Sequence, residues 1–136
     1  MATPTKFNSL GEALAEKVHD LSSDTLKIAL TNTAPTASNS QLSDLTEITA
    51  ANGYSAGGFA ITVSSSSQSG GTYSLVLNAA TLTASGGSIG PFRYVVLYND
   101  TATNDELIAY FDRGVELTLA DTESYTIDSA TWLQIS

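Results

Sequence analysis

The chain has no cysteine. Disulfide frameworks and thiolate metal sites are therefore excluded, and stability has to come from packing or from contacts with other chains. Basic residues are scarce. Lys6, Lys17, Lys27, Arg93 and Arg113 are scattered singly against fourteen acidic residues, for a formal net charge of −9. Nucleic acid is a poor partner for such a chain, because phosphate binding needs clustered Lys and Arg. An anionic membrane surface is disfavoured for the same reason. No stretch approaches the ~20 apolar residues of a membrane span. Met1–Lys6 also lacks the charged-then-apolar order of a secretory leader, so the expectation is a chain made in a cytoplasm.

Charge of either sign is low, at 14% of residues, while hydrophobic residues reach an ordinary 42%. Ser and Thr, roughly a quarter of the chain, take over the polar role. Such a surface can hydrogen-bond to a neighbour with less ionic desolvation than a Lys/Glu-rich one. At 136 residues the chain is long enough to bury one core unaided.

One nearly continuous apolar run stands out, Phe92 to Tyr98, entered through Gly90-Pro91 and closed by Asn99-Asp100. Its aromatic and β-branched content predicts a strand covered on both faces. Most other strand candidates alternate and so have one wet face: Leu26/Ile28/Leu30, Phe59/Ile61/Val63, Tyr73/Leu75/Leu77 and Val115/Leu117/Leu119. Leu107–Phe111, Tyr125–Ile127 and Thr131–Ile135 complete the set. Ser64 to Gly71 reads as a polar hairpin loop, and Asp112-Arg113-Gly114 as a turn.

Ahead of the strands, Phe7, Leu10, Leu14, Val18 and Leu21 recur at helical spacing. Ser9 and Glu12 form a capping-box pattern, which predicts a helix over residues 9–20. Residues 32–56 read as a long surface connection with at most one helical turn. It carries Pro35 and the spaced trio Leu42, Leu45 and Ile48. The fold expected is all-β: a single antiparallel β-sandwich or jelly-roll-like domain with a short N-terminal α-helix. An arm over 1–8 precedes a sandwich domain over 9–136, with Phe7, Leu10, Tyr94 and Trp132 in the core.

Several motifs invite a chemical reading and fall short. Gly86-Gly87-Ser88-Ile89-Gly90 has the spacing of a nucleophile elbow, but a strand follows Ser88 where the elbow needs a helix. The one histidine, His19, lies upstream on the predicted helix, where a surface His near the C-terminus suits the dipole. Alone it makes no metal site. The oxygen-rich loop Asn99–Glu106 lacks the Gly and terminal Glu spacing of an EF-hand. Asn99-Asp100-Thr101 is also a glycosylation triplet, relevant only in a secretory pathway. Carboxylate pairs such as Asp105/Glu106 and Asp121/Glu123 fall in turns, away from the facing geometry that glycoside hydrolysis needs. Tyr54, Tyr98, Tyr110 and Trp132 would have to be exposed to form a sugar platform. No catalytic, cofactor or metal residue is assigned.

Blocks of the chain resemble a family of small structural proteins of tailed bacteriophages. They are Lys6-Phe7-Asn8-Ser9 leading into Leu14–His19, Ser23–Pro35, Glu47-Ile48, Asn52-Gly53-Tyr54, and Ala84 through Asp100. The likeness spans residues 6 to about 100; beyond it only the strand pattern matches. The resemblance implies a decoration, or cement, subunit on the outer face of an icosahedral head, assembled in the host cytoplasm. Its partners would be the major capsid protein and itself, as a homodimer or homotrimer. Pro4, Thr5, Lys6, Pro35, Leu42, Leu45 and Ile48 are the contact residues expected on this reading. A tail or fibre component binding host-surface glycan is the alternative within the same class of particle, and a small esterase using Ser88 the alternative outside it.

Overall fold

The computed structural model describes residues 2–136. The fold is all-β and antiparallel, with one short helix, and its main sheets form two layers. In chain order the elements are β1 (Thr5–Lys6), α1 (Leu10–Ala15), β2 (Leu26–Thr31), a single 3-10 turn (Leu42–Asp44), β3 (Phe59–Ile61), β4 (Val63–Ser69), β5 (Thr72–Leu77), β6 (Ala80–Thr83), β7 (Ile89–Asn99), β8 (Leu107–Leu119), β9 (Ser124–Ile127) and β10 (Ala130–Ile135). A five-stranded sheet runs β1-β8-β7-β2-β3, a three-stranded sheet runs β10-β5-β4, and β6 pairs with β9 alone.

The apolar run becomes β7, the middle strand of the larger sheet, and Val95 through Asn99 are all buried. Strand alternation divides its side chains between two clusters. Val95 and Leu97 face the main core with Leu26, Ile28, Leu30, Leu75, Leu77, Phe111 and Trp132. Val96 and Tyr98 face a second cluster with Phe7, Ala29 and Leu107 on the back of the sheet. Opposite Leu97 and Tyr98, the β8 partners are Ala109 and Leu107, so Ile108 is an extra residue in a bulge. The bulge sends Ile108 and Ala109 together into the main core while Leu107 turns to the back.

The connection 32–56 is the cover of that back face. Leu42 and Leu45 pack on the second cluster and Ile48 on the main core. Bridges Thr31↔Glu47 and Gln41↔Glu106 stitch it to the sheet. The close approach continues at Gly58, whose φ is +81 and where a Cβ would lie 1.7 Å from the Ile28 carbonyl oxygen. Only glycine fits there.

Four expectations need correction. The helix spans six residues instead of 9–20. It stops because Lys17, at φ 65, closes a Schellman motif: its N–H donates to Leu14 O and that of Val18 donates to Ala13 O. Leu21 still reaches the core from a turn, which is why the apolar period outruns the helix. The serine tract is no loop. Ser64–Ser67 lie in β4, paired to β5, and the turn is Gly70-Gly71 alone. Pairing against the apolar-faced β5 overrides the weak strand propensity of serine. Asp112-Arg113-Gly114 is likewise inside β8, where register shifts let the strand absorb them as a bulge. Finally, the arm 1–8 is not separate: Thr5 and Lys6 pair with Tyr110 and Ala109, and Phe7 is 2% exposed. Of the expected core residues, Phe7, Leu10 and Trp132 are buried and Tyr94 is half-buried.

Candidate functional site

Between Glu47 and Arg93 the sequence contains no charged residue, and none follows Asp128. The fold gathers part of these segments, β4 and β5 from the first and β10 from the second, into one layer. Strands β4, β5 and β10 carry no charge, while all five basic residues lie on the five-stranded sheet or the N-terminal segment. The inner face of this layer presents Leu75, Leu77, Trp132 and Leu133 to the core. A register shift between Thr131 and Leu133 puts both Trp132 and Leu133 inside, with the Trp132 ring 5.3 Å from Phe111.

The outer face is built from the alternate residues. Ser65, Val76 and Thr131 form one cross-strand row, and Ser67, Ser74 and Gln134 the next. Side-chain hydrogen bonds knit it: Ser65 to Ser67 at 3.3 Å, and Gln134 Nε2 to Ser74 Oγ at 3.3 Å. The β6–β9 ribbon continues the chemistry with hydroxyl pairs Thr81–Thr126 at 3.0 Å and Thr83–Ser124 at 2.7 Å. The result is a hydroxyl and amide surface with no ion to desolvate. Its signal was in the sequence as the long gap in charge, hidden because the serine tract reads as a loop.

The expected contact residues sit elsewhere. Thr5 and Lys6 are exposed on β1, and Pro4 and Lys6 line a groove of about 440 Å³ with Thr131, Trp132, Leu133 and Gln134. Pro35 is buried, and Leu42, Leu45 and Ile48 are half-buried against the chain's own sheet. The second group is therefore occupied within the fold, whereas Pro4 and Lys6 border the uncharged layer.

Two polar networks lie inside. Asn99, fully buried, donates both amide hydrogens, to Asp24 Oδ2 at 2.6 Å and to His19 Nδ1 at 2.9 Å. Its Oδ1 accepts from the N–H groups of Thr101 and Ala102. With Nδ1 an acceptor, the His19 proton is on Nε2, which has no partner. His19 is thus buried, not on a helix surface as its position suggested. Burial lowers its pKa, against the opposing pull of Glu106 and Asp24. In the second network, Tyr54 joins Glu47 to the edge of β2, and the Tyr98 hydroxyl donates to Gly57 O. Burial raises both phenol pKa values, and the Glu47 bond raises that of Tyr54 further.

These placements keep the residues of the tempting motifs apart. Ser88 precedes β7 and His19 contacts Asn99 at its other end. Strand rise over that length separates them by about 30 Å. Ser88 also leads straight into a strand, and its carbonyl accepts from Asn52 Nδ2 at 2.8 Å. Among the described residues no group of three His, Asp or Glu is placed to hold a metal ion. Tyr54 and Tyr98 are buried and Tyr110 is half-buried with its ring 5.1 Å from Phe7, so these three tyrosines form no exposed sugar platform. No protein-family model matches the chain, and neither does any curated protein or solved structure.

Proposed function

We propose that the chain is a structural subunit of a bacteriophage particle, a decoration protein that binds the outer face of the head. There it ties neighbouring major capsid subunits together and turns over no substrate. The uncharged hydroxyl sheet on an otherwise acidic chain is the observation that carries this reading. A contact face of this kind needs no exact ionic partner and loses little to desolvation. Repeated many times over a shell, a modest patch gives strong attachment through multivalency. The groove beside Pro4 and Lys6 adjoins the same layer and sets a cation next to it.

The test is binding to purified heads that lack the protein. The wild-type chain co-sediments with them, and Ser74→Glu with Thr131→Glu, which puts charge on the outer face, abolishes it. Electron microscopy of the intact particle then finds the subunit on the outer shell. Unimpaired binding by the charged variant, or a particle with no such density, overturns the reading.

A further inference from the structure

We propose that the chain pairs with a second copy of itself through the free edge of β4, joining two three-stranded sheets into one across a two-fold axis. β4 is the terminal strand of its sheet and has a ladder on one side only. Edges of this kind are usually guarded by charge, proline or a bulge. Here Ser65 to Ser69 contain neither charge nor proline, and the register shift lies before them, between Val63 and Ser65. From Ser65 to Ser69 the edge is regular and carries no guard of its own.

Its hydrogen-bonding direction follows from the hairpin. Gly70 and Gly71 have φ of 57° and 88°, as a two-residue type I′ turn requires. Ser69 and Thr72, flanking the turn, then exchange both backbone bonds, and the antiparallel alternation makes Ser67 and Ser65 do likewise with Ser74 and Val76. The N–H and C=O groups of Ser66 and Gln68 therefore point outward. An axis through Ser67 sets Ser66 opposite Gln68 of the second copy, and Gln68 opposite its Ser66. Both outward-pointing residues find outward-pointing partners, as an isologous contact demands.

Charge selects the occupant. Two chains of net charge −9 meet most easily where neither presents carboxylates, and β4, β5 and β10 carry none; the charges that line a groove with Ser66 are one of each sign, Lys17 and Asp20. The dimer also sets two hydroxyl faces side by side, doubling the surface assigned above to the shell. The pairing itself is independent of that assignment, since it is read on purified protein.

Sedimentation equilibrium of the full chain tests it. Wild type gives a dimer. Gln68→Pro removes an outward N–H while sparing the β5 ladder, and Ser67→Glu opposes two carboxylates across the axis. Each raises the dimer dissociation constant at least about tenfold, the equivalent of a hydrogen bond or two. Far-UV circular dichroism stays that of wild type for Ser67→Glu, which carries the test if the proline variant fails to fold. A monomeric or trimeric wild type overturns the proposal, and so do variants that dimerise like wild type. A monomer that still binds heads sinks the pairing alone; a dimer that does not bind them sinks the shell reading alone.

Discussion

The Tyr54 hydroxyl donates to Glu47 Oε2 at 2.6 Å while accepting the Leu30 N–H at 3.0 Å. One phenol thus joins the covering connection to β2, and the same Glu47 carboxylate accepts the Gly57 N–H at 3.0 Å. Tyr54→Phe keeps the ring and leaves a carboxylate and an amide short of partners. Urea denaturation will show it less stable by about 1–3 kcal/mol. A variant as stable as wild type would mean that water replaces the hydroxyl at no cost.

Stability will fall on mild acidification because of His19. Its folded pKa lies below the ordinary 6.5, so the unfolded chain binds the proton first as pH drops through that value. The contribution is complete above 6.5 and is lost between there and the lowered folded value. Protonation also breaks the Asn99 bond to Nδ1. Comparing urea midpoints at pH 7.5 and 5.5, wild type will lose more than His19→Gln; equal losses would refute the assignment.

Lys17 holds a left-handed conformation that glycine adopts without strain. Lys17→Gly will stabilise the chain by roughly 0.5–1 kcal/mol, read as a raised thermal midpoint. A lowered midpoint would indicate that the lysine stem packs usefully on the groove it lines with Leu14 and Leu21.

Removing residues 2–8 will unfold or strongly destabilise the chain, because the segment carries Phe7 and both β1 residues. Burial of a Phe is worth about 3–5 kcal/mol against alanine. Removing residues 2–4 alone will leave the melting curve unchanged. The short truncation is therefore the one suited to testing the Pro4 groove in head binding.

How far the sequence spoke depends on the kind of signal. β7 was legible because Val95 to Tyr98 are apolar on both faces, and β2 because Leu26, Ile28 and Leu30 alternate cleanly, although the face expected to be wet is covered, with Ala29 and Thr31 buried. β4 was not, because its serines follow their partner strand instead of their own propensity. The helix end was obscured by Val18 and Leu21, which keep the helical period in a segment that has turned away. The inward position of Pro35 had no local cue, since it depends on where a long connection comes to rest. The contact layer left its trace as missing charge, a signal of composition with no motif to mark it.

Asn99 is the acceptor of the chain's Asn-Asp-Thr triplet, and its amide nitrogen is the atom that holds Asp24 and His19. An oligosaccharide attached there cannot coexist with the native arrangement. Production in a eukaryotic secretory route would set the sugar transferase racing against folding, and every modified molecule would leave the race misfolded. Bacterial expression avoids that contest.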